Sequence, residues 1–106
     1  MTQHLTMNDL HDQLSKITQK DLILDVRSHE EFSDGHVPGS RNIPHTEVAD
    51  RQSELKGFEK IYIYCQAGRR AQVAAAMLED LGFKNLICVS TTGMGHWRAA
   101  GFPIEK

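Results

Sequence analysis

Ile61-Tyr-Ile-Tyr-Cys65-Gln-Ala-Gly68-Arg-Arg70-Ala71-Gln-Val-Ala-Ala-Ala-Met-Leu-Glu-Asp-Leu-Gly82 is the segment that decides the architecture. Residues 61–65 are β-branched and aromatic, as in a strand, while residues 71–81 are strong helix formers ending at Gly82, a preferred C-cap residue. The helix begins within the loop after Cys65 or at Ala71, so strand, tight loop and helix follow directly. The same rhythm recurs outward along the chain. Asp21-Leu-Ile-Leu-Asp-Val26 is a nearly continuous apolar run of the kind that fills a strand buried on both faces. Before it, Thr6 with Asp9 three residues later predicts the start of an amphipathic helix over residues 7–16, with Leu10, Leu14 and Ile17 at helical spacing. After it, Ser28 and Glu31 form a capping box for a short helix that stops by Gly35. A turn-rich excursion ending in a brief strand at Arg41–Ile43 and a weaker helix over residues 46–54 come next. Residues 85–90 read as another buried strand and residues 93–101 as a last short helix. Strands separated by helices need right-handed crossovers, so the fold class is α/β: a parallel or mostly parallel sheet with helices on both faces. Ligands of such sheets bind beyond the carboxyl ends of the strands.

The composition confines this to one domain, residues 1–106, with 40% hydrophobic and 25% charged residues. Repeats, low-complexity tracts and flexible linkers are absent from the sequence. Lys and Arg number 12 against 14 Asp and Glu, a net charge of −2, which lacks the basic excess of a nucleic-acid binder. No apolar stretch approaches the roughly 18 residues needed to cross a bilayer. Two cysteines, Cys65 and Cys88, make no disulfide framework, and the first ten residues lack the basic and apolar regions of a signal peptide. The expectation is a soluble protein of a reducing cytoplasm, without nucleic-acid or membrane partners.

Cys65 closes a strand at the carboxyl edge. Gly68 lets the following backbone turn with its N–H groups inward, and the first turn of the next helix adds partial positive charge. Gln66, Ala67, Gly68, Arg69, Arg70 and Ala71 therefore form a loop suited to a small anion, in a field that favours the thiolate of Cys65 as a nucleophile. The competing reading of Cys65 is a small buried hydrophobe. Neither a GK[ST] loop nor a GxGxxG turn occurs, which argues against nucleotides. No spacing places a histidine beside Cys65 for a protease-type pair. His29, His36 and His45 lack a CxxC or HxxxH pattern and read as solvated surface residues, so no metal is expected. Cys88, inside an apolar strand, reads as a core residue.

Three segments together resemble the rhodanese family of sulfurtransferases, which carry sulfur as a cysteine persulfide. Cys65-Gln-Ala-Gly68-Arg-Arg70 is similar to its active-site loop CxxGxR[ST]. Asp25-Val-Arg27, Glu31-Phe32 and Gly35-His36-Val-Pro38-Gly39-Ser-Arg-Asn42-Ile43 resemble its N-terminal signature DVRxxxEFxxGHIPGAxNI. Gly93-Met-Gly-His-Trp97 with Ala100-Gly101-Phe-Pro103 resembles its C-terminal GGxxxWxxAGxP. The likeness spans about residues 5–105 and departs twice: Ala71 replaces a Ser or Thr whose hydroxyl could reach the sulfur, and Thr92 replaces the first glycine of a pair.

The resemblance implies a five-stranded rhodanese-like sheet, Cys65 as catalytic residue and residues 66–71 as the substrate-binding loop. It also implies a small anionic donor such as thiosulfate, a thiol or cyanide acceptor, and no cofactor. A persulfide carrier or interaction module taking sulfur from a protein partner is the alternative. Arg70, at the family's arginine position, is expected to outweigh Arg69. Asp25, Arg27 and Pro38 read as scaffold, and Trp97 as a core plug. Related phosphatases and arsenate reductases have five residues between cysteine and arginine where this chain has four, so aryl phosphates are not expected substrates.

Overall fold

Along the central strands, successive side chains turn to opposite faces, and both faces are apolar. The computed structural model describes residues 2–106. Its strands are β1 (Gln3–Leu5), β2 (Asp21–Asp25), β3 (Arg41–Asn42), β4 (Lys60–Tyr64) and β5 (Leu86–Val89). They pair in the order β1-β5-β4-β2-β3, every neighbour parallel. The helices are α1 (Met7–Gln13), α2 (His29–Ser33), α3 (Arg69–Asp80) and α4 (Met94–Ala99).

Leu22, Leu24 and Val26, Ile61, Ile63 and Cys65, and Leu86 and Cys88 face one side of the sheet, where Ala71, Ala74, Ala75 and Leu78 of α3 cover them. Ile23, Tyr62, Tyr64, Ile87 and Val89 face the other side, under Met7 and Leu10 of α1 and Met94 and Trp97 of α4. This is the two-sided burial that a continuous apolar run requires. Trp97 is fully buried and donates its indole N–H to the Pro103 carbonyl at 2.6 Å, so it is the plug expected of it.

Both capping boxes form: Thr6 with Asp9, and Ser28 with Glu31. Three other elements differ from the sequence reading. The first helix tightens into a 3-10 turn at Leu14–Lys16. The segment 46–54 is no α-helix; it is a series of turns leading into a 3-10 helix at Gln52–Leu55. Only Val48 and Leu55 bury apolar surface there, too little to propagate a helix, and the turns are tied by ion pairs of Arg51 with Glu47 and Glu54. β1 carries no apolar run, with Gln3 and His4 exposed, and is an edge strand recruited by β5.

Thr92, where the family pattern has glycine, accepts a hydrogen bond from the Met7 N–H at 2.9 Å and so ties the start of α1 to the loop after β5. Thr92→Val keeps the shape and removes the acceptor; it should cost about 1 kcal/mol, the usual net loss for one hydrogen bond. A urea midpoint unchanged from wild type would mean that water replaces the hydroxyl there.

Candidate active site

Cys65 follows β4 directly, and its side chain turns to the α3 face of the sheet. The residue is 1% exposed, and its Sγ accepts hydrogen bonds from the Gly68 N–H at 3.0 Å and the Ala71 N–H at 3.3 Å. The sulfur thus lies on the floor of a loop that doubles back over it. Ala71 lacks a hydroxyl, yet its main-chain N–H reaches the sulfur. The N–H groups of Gln66, Ala67, Arg69 and Arg70 have no acceptor among the described residues. Together with the first turn of α3, they give the loop the donor surplus anticipated for an anion.

Two close approaches force this shape. Gly68 adopts φ +107° as N-cap of α3, and a Cβ there would collide with the Ser90 carbonyl. Gly93 lies against the main chain of Cys65 and Gln66, and the next two N–H groups, of Met94 and Gly95, donate to the Cys65 and Gln66 carbonyls at 2.9 and 3.2 Å. The loop is therefore clamped between α3 and α4.

A second layer lies beyond the loop. Asp25 and Arg27 are buried at 0% and 2% exposure and joined at 2.7 Å. Arg27 also donates to the Gly35 carbonyl at 2.7 Å and reaches the Gln66 Oε1 at 3.4 Å. The pair holds the turn at Gly35, the scaffold role expected for it, and sits behind the Cys65 loop. Asn42 reinforces the corner by donating to the Asp25 and Arg27 carbonyls.

The residues singled out from the sequence are brought together, with different exposures. Gln66, Ala67 and Arg69 are exposed, Gly68 and Ala71 are buried, and Arg70 is half-buried. Arg70 is not free: Nη1 and Nη2 donate to Oε1 and Oε2 of Glu31 at 2.6 and 2.9 Å. Glu31 was legible as a capping residue and as part of the N-terminal signature, but no sequence signal joins it to a position 39 residues away. Arg69 has no such partner among the described residues; the ion pairs of the site are Arg27 with Asp25 and Arg70 with Glu31.

No histidine hydrogen-bonds Cys65 among the described residues, and no group of three or more potential metal ligands lies together there. His36 departs from the surface reading. It is 8% exposed, stacked on Phe32 at 3.7 Å with Nδ1 against the Phe32 carbonyl, because the Gly35 turn folds it inward. Cys88 is fully buried, and burial with the nearby Cys65 pushes its thiol up to about 11, so it stays protonated. A cleft of about 320 Å³ lined by Ile17, Asp21, Pro38, Arg41 and Phe58 lies at the start of β2, away from Cys65. No helix among the described residues is long and apolar enough to cross a membrane.

The Arg70 hydrogen bonds, then those from Ser28, hold the Glu31 carboxyl down at about 2, against the opposing effect of burial. Its folded value lies below the unfolded 4.5, so the pair's stabilisation is complete above that pH and is lost as pH falls toward 2. With the Glu31 side chain 34% exposed, solvent screening limits the contribution, and Glu31→Gln should cost about 1 kcal/mol at neutral pH. In urea unfolding the difference from wild type should vanish on acidification to pH 2; a gap that persists there would place the loss elsewhere.

The chain is similar to known proteins over most of its length. A model of the rhodanese-like domain matches residues 6–100. The chain is 45% identical over 75 residues to "Putative sulfur carrier protein YrkF" of Bacillus subtilis (strain 168), covering 71% of this chain and 40% of that protein. It is 29% identical over 87 residues to a sulfurtransferase of Allochromatium vinosum, covering 82% of this chain and 80% of the other. A rhodanese-like domain protein from Staphylococcus aureus superposes with a TM-score of 0.82 at 28% identity, covering 99% of this chain and 100% of that one. The chain spans about half or less of the length of the curated relatives sharing 38–45% identity with it.

Proposed function

The chain belongs to the rhodanese-like domain family, and we propose that it moves a sulfane sulfur from thiosulfate or a similar donor to a thiol or cyanide-type acceptor through a persulfide on Cys65. The observation that carries this reading is Sγ on the floor of a loop in which two N–H groups donate to it and four more have no acceptor among the described residues. The Cys65 thiolate attacks the outer sulfur of thiosulfate, a new S–S bond forms, the old one breaks, and sulfite leaves with its electron pair. An acceptor thiolate or cyanide then takes the outer sulfur and returns Cys65 as thiolate. The unpaired N–H groups of Gln66, Ala67, Arg69 and Arg70 suit the anionic outer sulfur of the persulfide, and Arg70 with Arg69 suits the donor's oxygens. Nothing in this sequence of steps calls for a metal or organic cofactor, and two unpaired thiols suit a reducing cytoplasm.

The B. subtilis sulfur carrier favours a second reading, in which the same persulfide is received from or handed to a protein partner. Saturation by thiosulfate at low concentration supports the enzyme; slow turnover with rapid protein-to-protein transfer supports the carrier.

Mass spectrometry after exposure to thiosulfate should find one added sulfur on Cys65, removed by cyanide. Cys65→Ser should abolish the transfer without unfolding the domain, and Cys88→Ala should leave it nearly unchanged. Undiminished transfer by Cys65→Ser would sink the mechanism, and turnover of an aryl phosphate through Cys65 faster than of thiosulfate would replace it.

Arg70→Ala should weaken thiosulfate use by about 2 kcal/mol, because it removes a charge-assisted donor and leaves the Glu31 carboxylate uncompensated beside an anionic substrate. Arg69→Ala, at an exposed position, should cost less. Steady-state kinetics of the two variants decide, and the reverse order would exchange their roles.

A further inference from the structure

The cations around Cys65 are neutralised to different degrees, and this bears on which donor the site takes. Arg27 is matched by Asp25 at 2.7 Å and Arg70 by Glu31 at 2.6 and 2.9 Å, each pair with no net charge. The Glu31 carboxylate is fixed as well as paired. Its Oε1 also accepts from the Ser28 N–H at 3.1 Å and the Ser28 hydroxyl at 3.0 Å, so the first turn of α2 sets where Arg70 stands. Arg69 is the one cation of the loop without a carboxylate partner among the described residues. A donor approaching the thiolate therefore meets N–H dipoles, a neutral pair and one exposed guanidinium. Thiosulfate arrives with two negative charges, whereas an alkyl persulfide carries at most one on its reacting sulfurs. Each added donor charge is repelled by the thiolate, while Glu31 cancels the attraction that Arg70 would otherwise exert and leaves Arg69 as the unopposed cation.

We infer that Glu31 is a specificity-determining residue of this site, discriminating against dianionic donors in favour of alkyl persulfides. The inference rests on the sulfur-transfer reading of Cys65. In the favoured reaction the Cys65 thiolate attacks the terminal sulfur of R–S–SH. The bond from that sulfur to the inner one breaks, the alkyl thiolate leaves with the electron pair, and Cys65 holds the persulfide and its proton.

The test is the rate at which Cys65 gains one sulfur, followed by mass spectrometry, with thiosulfate and with hydroxyethyl persulfide as donors to the whole chain. Because the two differ in intrinsic reactivity, the readout is the change in their rate ratio between variants. Glu31→Gln keeps an oxygen acceptor for Ser28 and Arg70 while removing the charge. It should shift the ratio toward thiosulfate by about fivefold or more, the order expected for one charge a few ångströms away in a half-exposed site. Glu31→Asp retains the charge and should hold the ratio within about twofold of wild type, a distinction that a purely structural role for Glu31 would not produce. As a check independent of Glu31, Arg69→Ala should remove most of the salt dependence of thiosulfate loading.

An unshifted ratio in Glu31→Gln, or the same shift in Glu31→Asp, overturns the inference while sulfur transfer stands. Should Glu31→Gln fail to fold, Glu31→Ala, which also removes the charge, carries the same test, and an unshifted ratio there overturns the inference. Absence of sulfur on wild-type Cys65 with every donor overturns the sulfur-transfer reading itself.

Discussion

The chain must reverse direction within four residues of β4 while keeping the Gly68 and Ala71 N–H groups on one sulfur atom, and the rest of the site follows from that reversal. It is held by contact between main chains. Gly68 sits in the left-handed region against the Ser90 carbonyl, and Gly93 lies on the backbone of Cys65 and Gln66. These contacts need β5 beside β4 and α4 folded back over the sheet edge, which in turn needs Trp97 and Met94 buried against Tyr62, Tyr64 and Val89. The packed core and the reactive loop are thus parts of one arrangement. A shift of α4 would release the two carbonyls that it holds and open the loop.

How far this was legible varies with the range of the signal. β2, β4 and β5 are continuous apolar runs, and both capping boxes are local patterns, so residues 21–25, 60–64 and 86–89 and the starts of α1 and α2 could be read directly. The strand-loop-helix unit put Cys65 at the sheet's carboxyl edge, which is where it lies. What escaped was set by tertiary partners. β1 exists because β5 offers an edge, the 46–54 helix fails for want of apolar anchors, and His36 is folded inward by the Gly35 turn. The pairing of Glu31 with Arg70 is of this kind too. Each residue had a sufficient local explanation, and nothing local showed that they meet.

That meeting changes how the loop's charges are read. Two arginines side by side suggest a strongly cationic mouth, but Arg70 and the buried Arg27 are each matched by a carboxylate. The donors that reach the sulfur are the N–H dipoles of Gly68 and Ala71, and dipoles fixed by a folded backbone do not have to reorganise as charge moves between sulfur atoms. In the proposed cycle Cys65 alternates between a thiolate and a persulfide anion, which would keep the same single charge in the loop at both stages, so one arrangement of donors would serve both.

The clamp on the Cys65 and Gln66 carbonyls has a consequence for how such a domain changes over time. Because the loop is fixed by carbonyls, N–H groups and two glycines, the exposed side chains at positions 67 and 69 contribute little to its shape. They are free to be exchanged at small folding cost, since exposed substitutions away from such contacts change stability by only about half a kcal/mol. The reactive atom stays where it is while its surroundings are rewritten. On the proposed sulfur-transfer reading, a fold built this way offers its lineage a fixed nucleophile with a replaceable rim, where single substitutions would change the surroundings and leave the core untouched.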